Sequence, residues 1–202
     1  MTFLSPPARC MPHSRLRAFR VFRTLALALA AAALVACAPA YDWREVKSDA
    51  VVALLPAKPD SLTRELELAG LAVKMTMQSA RADALSFAIA RVDLPAGSDA
   101  ASRDAVQEAL RTALLRNAGR PARPASEAVV AINRTERGAA GVPARSLAVR
   151  GEPDGKSIAL EARLFARDDH VWQLAVYGPA EAMDRPAARE AVETFMLSTR
   201  ID

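Results

Sequence analysis

The chain has 202 residues, 27 Lys and Arg against 23 Asp and Glu, and only two Cys and two His. That inventory leaves no Cys/His set for a zinc centre, and the sequence carries no Gly-x-Ser-x-Gly, Gly-x-Gly-x-x-Gly or phosphate-loop motif. The expectation is a chain without metal or cofactor and without nucleic acid as partner.

The front end carries the clearest signal. Arg15, Arg17, Arg20 and Arg23 precede a stretch from Thr24 to Ala36 that is almost wholly Leu, Ala and Val, with no acidic residue before Asp42. A basic flank, a short apolar core and small residues at the cut form a secretory signal. Thirteen residues make roughly 20 Å of helix against ~30 Å of bilayer hydrocarbon, too short to span comfortably. The segment closes on Leu34-Val35-Ala36-Cys37, which resembles the lipobox of bacterial lipoproteins. The resemblance implies cleavage between Ala36 and Cys37, a diacylglyceryl thioether on the Cys37 sulfur and an acyl group on its new amino terminus. Ordinary cleavage, at Ala36-Cys37-Ala38 or Ala38-Pro39-Ala40, is the alternative, and it would release a soluble protein. Ala38 is not the Asp of inner-membrane retention, which implies delivery to the inner face of the outer membrane. Met11 would give a more ordinary leader than Met1, with its Pro6-Pro7.

Removing residues 1–36 leaves 166, enough for one domain with its own core. Five of the 27 basic residues and none of the 23 acidic ones lie in that leader, so the mature balance is 22 against 23, about −1. Cys37 would be consumed by lipid and Cys10 lost, which leaves no disulfide. The expected layout is a leader at 1–36, the lipidated Cys and a tether at 37–50, and one domain at 51–202. Within 38–50, Trp43 either meets the lipid interface or belongs to a first edge strand and covers the core, the favoured reading.

Val51 to Leu55 is an apolar run stopped by Pro56. Leu62, Leu66 and Leu68 then alternate with polar residues, as do Leu71, Val73, Met75 and Met77. Gly70 turns the chain, and pairing Leu68 with Leu71 sets Leu66 opposite Val73 and Glu65 opposite Lys74. Arg64 breaks the inward row, as expected at a sheet edge. Met75, Met77 and Phe87 form a candidate apolar ligand surface, although Met at alternate strand positions is ordinarily core. Leu85 to Leu94 is apolar on both faces, hence central. From Ser98 to Asn117 the period becomes helical, with Ala105, Val106, Ala109, Leu110, Ala113 and Leu114 in one stripe and Gly119 closing the end.

Ala128–Ile132 is a candidate strand in a loop-rich stretch, whose Arg120, Arg123, Arg134 and Arg137 read as solvated. Three strands follow, Pro143–Arg150, Ser157–Arg167 and His170–Tyr177. Pairing Arg167 with His170 puts Phe165 across from Trp172. Asp168 and Asp169 sit at that hairpin tip, where adjacent carboxylates point apart, and His170 reads as a partly exposed strand residue. Asp184 is expected to cap a last helix with Pro186 in its first turn, burying Ala188, Ala191, Val192, Phe195 and Met196.

The resulting expectation is an α+β fold: an antiparallel twisted sheet of six to eight strands with two helices packed on it. Leu54-Leu55-Pro56-Ala57-Lys58-Pro59, Arg163-Leu164-Phe165, Trp172-Gln173-Leu174 and Thr194-Phe195-Met196-Leu197-Ser198 together resemble a group of uncharacterised proteobacterial-type lipoproteins. The arrangement is similar to the PsbP-like fold of photosystem II extrinsic proteins. By analogy that fold implies an accessory or binding role at the cell envelope, without catalytic residues, partnered by the membrane through Cys37 and by another envelope protein. A small apolar-ligand carrier, or a hydrolase using Asp and Glu alone, are the alternatives.

Overall fold

The computed structural model describes residues 41–119 and 124–202, so the leader, Ala36 and Cys37 lie outside the described residues. Ten strands form one sheet: β1 (Arg44–Ser48), β2 (Val51–Leu55), β3 (Asp60–Leu68), β4 (Leu71–Ala82), β5 (Leu85–Asp93), β6 (Pro124–Arg134), β7 (Val142–Gly151), β8 (Ile158–Arg167), β9 (His170–Pro179) and β10 (Arg200–Ile201). Their spatial order is β1-β2-β10-β6-β7-β8-β9-β5-β4-β3. The helices are α1 (Ala100–Asn117), α2 (Ala180–Met183) and α3 (Pro186–Ser198).

This corrects the expected fold. Among the described residues the sheet has ten strands, not six to eight, and three helices accompany it, not two. It is mixed, because β10 pairs with β6 in parallel and with β2 antiparallel. The extra elements are short. β10 has two residues and α2 four, lengths at which side-chain periodicity carries no signal and neighbouring backbone decides. Residues 44–48 pair with β2 at the sheet margin, so the later part of the expected tether is the edge strand, and Trp43 packs edge-on against Phe87 with centroids 6.5 Å apart.

The hairpins follow the residue pattern. Leu68 faces Leu71, Leu66 faces Val73 and Glu65 faces Lys74, and β3 is the outermost strand, where Arg64 costs least. The turn is Ala69-Gly70, with φ of 51° and 78°, the left-handed pair that matches strand twist in a two-residue hairpin. Phe165 faces Trp172, and their rings stack at 5.5 Å and 11°.

Helices cover both faces. On one, α1 buries Val106, Leu110 and Leu114 against Leu147, Val149, Leu160 and Leu164. On the other, α3 buries Ala188, Ala191, Val192, Phe195 and Met196 among Phe87, Phe165 and Trp172. Asp99 accepts a hydrogen bond from the Ser102 backbone N–H at 2.8 Å and so caps α1. Gly151 is required by a close approach: a Cβ there would lie 1.8 Å from the carbonyl oxygen of Ala118, just past the end of α1.

Candidate functional site

Alternation along β7 and β8 sends Ser146, Arg150, Glu161 and Arg163 to the face that α3 crosses. Between those strands and the helix is a pocket of about 420 Å³. Met183, Val192, Met196 and Leu197 supply its apolar lining, and Asp184, Arg189 and Glu193 its polar rim.

The charges are unequally engaged. The Arg150 guanidinium donates to Asp184 through both terminal nitrogens, Nη1 and Nη2, at 3.0 and 2.6 Å, and Arg189 adds a third contact at 3.0 Å. Those hydrogen bonds hold the Asp184 carboxyl down to about 2. Asp184 is therefore a fixed anion at neutral pH, unsuited to proton transfer. This corrects the expected helix cap: Arg185 is the residue at the start of α3, with no side-chain cap, and Asp184 turns back to the arginines. Arg163 donates Nη1–H to the carbonyl oxygen of Met196 at 2.8 Å, at the electronegative end of α3. Burial pushes its guanidinium below the ordinary arginine value, opposed by nearby Glu161. Glu161 and Glu193 enter no ion pair among the described residues. The pocket thus offers an apolar floor, one clamped anion and two carboxylates open to a ligand.

The sequence pattern did not single out this pocket. Arg163 belongs to the resembling stretch 163–165 and Met196 both to the stretch 194–198 and to the buried stripe of α3, and the structure makes those stretches one joint. Besides the Arg163–Met196 bond, Ser198 Oγ accepts from the Leu54 backbone N–H at 3.0 Å. Residues 54–59 and 163–165 are thus each tied by a part-buried hydrogen bond to the end of α3. The candidate apolar surface is not brought together. Phe87 is fully buried on the α3 face beside Phe195, at 5.6 Å, whereas Met75 packs on the α1 face, so the sheet separates them. Met77 pairs with Leu62 and Ala90.

A second polar cluster lies at the other end of β9. Arg91 binds Asp93 at 2.6 and 3.1 Å, and His170 Nδ1 is 3.2 Å from Asp93 Oδ1, with Nε2 3.9 Å from Asp49 Oδ2. The His170 ring meets Trp172 edge-on, and Trp172 Nε1–H donates to the Ser48 carbonyl at 3.3 Å. The cluster clasps β5 and β9 to the β1–β2 turn. Asp168 and Asp169 stay at their hairpin tip, where the Asp169 carbonyl accepts from Leu94 N–H. Among the described residues no group of three His, Cys, Asp or Glu is placed to hold a metal ion, and no helix is long and apolar enough to cross a membrane.

No known protein-family pattern matches the chain. No curated protein matches it either. Among solved structures it is similar to a Pseudomonas aeruginosa protein of unknown function, PA94, at 16% identity, over 77% of this chain and 94% of that one, with a TM-score of 0.40.

Proposed function

We propose that the protein is a cell-envelope lipoprotein, anchored through Cys37 and facing the periplasm from the outer membrane, whose domain is a non-enzymatic binding or accessory module. The observation that carries this is Leu34-Val35-Ala36-Cys37 at the end of an Arg-flanked apolar segment. A thiolate is the sulfur nucleophile that lipid transfer requires, and several acyl chains on one residue hold far more firmly than one. Metabolic labelling with a palmitate analogue tests it. Label is expected on the wild-type chain and lost in Cys37→Ala; an unlabelled wild type, or a labelled variant, overturns it.

A second reading concerns the domain. The pocket beneath α3, with its apolar floor and the carboxylates of Glu161 and Glu193, suits a small apolar ligand bearing a hydrogen-bond donor or a positive charge. Native mass spectrometry of protein from its own membranes, with Val192→Trp to fill the pocket, checks this. A co-purifying mass lost in the variant supports a carrier. Hydrolysis of an envelope polymer abolished by Glu161→Gln or Glu193→Gln would instead make the domain an enzyme.

A further inference from the structure

We infer that the outer edge of β6 is a self-association surface, where two copies of this chain join their sheets antiparallel about a two-fold axis near Val129.

The sheet order conceals an opening. β6 runs eleven residues from Pro124 to Arg134 and pairs along its length with β7, but on its other side β10 reaches only Asn133 and Arg134. Among the described residues no strand pairs with that side from Pro124 to Ile132. Such an edge presents a row of free N–H and C=O groups, a template for another strand.

The edges of this sheet are not equally guarded. β3, at one margin, reads Asp-Ser-Leu-Thr-Arg-Glu-Leu-Glu-Leu, and pairing it with itself about its centre would set Arg64 against Arg64. β1, at the other, has five residues, three of them charged. Over Ser126–Ile132, by contrast, the open side of β6 has one charge in seven residues, Glu127. Its carboxylate is already taken by Arg111, at 3.0 and 2.9 Å, with Arg145 at 3.6 Å. The run Ala128-Val129-Val130-Ala131-Ile132 has the β propensity and low charge that favour strand pairing.

The strand is also self-complementary. Val129 is 78% exposed in mid-strand, more than the other exposed large apolar side chains, Leu62, Tyr177 and Leu197. Centring a two-fold there sets Val129 against Val129, Ala128 against Val130, Glu127 against Ala131 and Ser126 against Ile132. Neither glutamate then faces the other, and both copies bury the valine. Pro124 and the irregularity between Pro124 and Ser126 stop the pairing at one end, and β10 stops it at the other. Because the charged margins resist further addition, the association closes at two copies.

The test uses the full-length chain in detergent, followed by sedimentation equilibrium across concentration. A dimer is expected, with Val129→Lys raising its dissociation constant about tenfold or more by setting like charges directly opposite. Val129→Cys should give a disulfide-linked dimer whose cross-linked peptide maps to residue 129 in both copies, and Arg64→Cys should not. A far-UV circular dichroism spectrum of Val129→Lys that matches the wild type, expected of so exposed a side chain, shows that folding is intact. A wild type that stays monomeric, a dimer that survives Val129→Lys, or cross-linking at Arg64→Cys instead overturns the inference. So does strong amide protection of residues 126–131 in a monomer, which would mean that another segment of the chain covers the edge.

Discussion

On the face covered by α3, Trp43, Phe87, Phe165, Trp172 and Phe195 meet in stacked and edge-to-face pairs, whereas on the face covered by α1 the buried core among the described residues is Val, Leu, Ile and Ala. Aromatic pairs have preferred angles and contribute about 0.5–1.5 kcal/mol beyond their burial, so each ring depends on its neighbour's orientation. Aliphatic side chains pack without such direction, and sites on opposite faces of the sheet, sharing no partner, add nearly independently. The α3 face also holds the pocket and the contacts that join the chain's first strands to its last helix. One sheet thus has a directional face that fixes β1, β2 and β10, and a simple face that supplies bulk.

The largest expected effect is at the ring shared by the helix and the sheet. Phe195→Ala should destabilise by about 4 kcal/mol, and Leu110→Ala on the opposite face by about 3 kcal/mol. The sharper contrast is in coupling. Phe87→Ala and Phe195→Ala should interact by about 1 kcal/mol in a double-mutant cycle, while Leu110→Ala and Phe195→Ala should add. Urea denaturation of the three single and two double variants measures this, and equal coupling in both pairs would erase the distinction between faces. Next in size is Gly151→Ala. The added Cβ meets the Ala118 carbonyl, so the end of α1 must shift, at about 2 kcal/mol. Its effect should appear as faster amide exchange at the C-terminal end of α1, with α3 unchanged.

How far the sequence discloses these faces follows from element length. The β3–β4 and β8–β9 registers are legible because alternation over eight or more residues leaves one pairing that matches apolar to apolar on both sides. The α3 stripe is legible for the same reason, since five residues at helical spacing are all buried. β10 and α2 are not, being shorter than a period's worth of evidence, and the parallel β6–β10 contact joins residues 67 apart in sequence, such as Asn133 and Arg200. The pocket was hidden by another cause. Glu161, Arg163 and Asp184 are ordinary surface types one at a time, and only the crossing of α3 over β7 and β8 assembles them. Alternation within β4 and within β5 does not say which face of one strand continues which face of the other; the register does, setting Phe87 opposite Ala80 and Met75 opposite Val92.

Arg163→Met sharpens the comparison at the pocket floor. The methionine keeps most of the aliphatic stem's packing and loses the hydrogen bond to the Met196 carbonyl at the end of α3. Removing a half-buried cation also relieves its desolvation, so the net loss should be small, about 1 kcal/mol. The same substitution removes one of the two arginines, Arg150 and Arg163, that feel the charge of Glu161. The informative readout is therefore local: amide exchange of Thr199–Ile201 should rise, because α3 delivers β10 to its place between β2 and β6. No change there would mean that β10 is held by its own pairing alone.

The smallest expected effect is the pH dependence set by Asp184. Its folded-state carboxyl is held at about 2 by Arg150 and Arg189, below the ordinary aspartate value near 3.8. A group depressed in the folded state stabilises above its unfolded value, and the contribution is lost as the folded form takes up its proton. Asp184 should therefore contribute fully above about pH 4 and lose its contribution as pH falls toward 2. Glu127 and Asp202 are depressed too, by Arg111 and by Thr135 with Lys47, so wild type carries several such slopes at once. Asp184→Asn removes only its own share. Urea midpoints from pH 6 to pH 2 should run parallel for the two proteins above pH 4 and converge below it. Because Asp184 and its arginines are solvent-exposed, raising the salt concentration should narrow the gap above pH 4. Curves that stay parallel down to pH 2 would mean that the arginine clamp does not persist in solution, and with it would go the fixed anion on the pocket's rim.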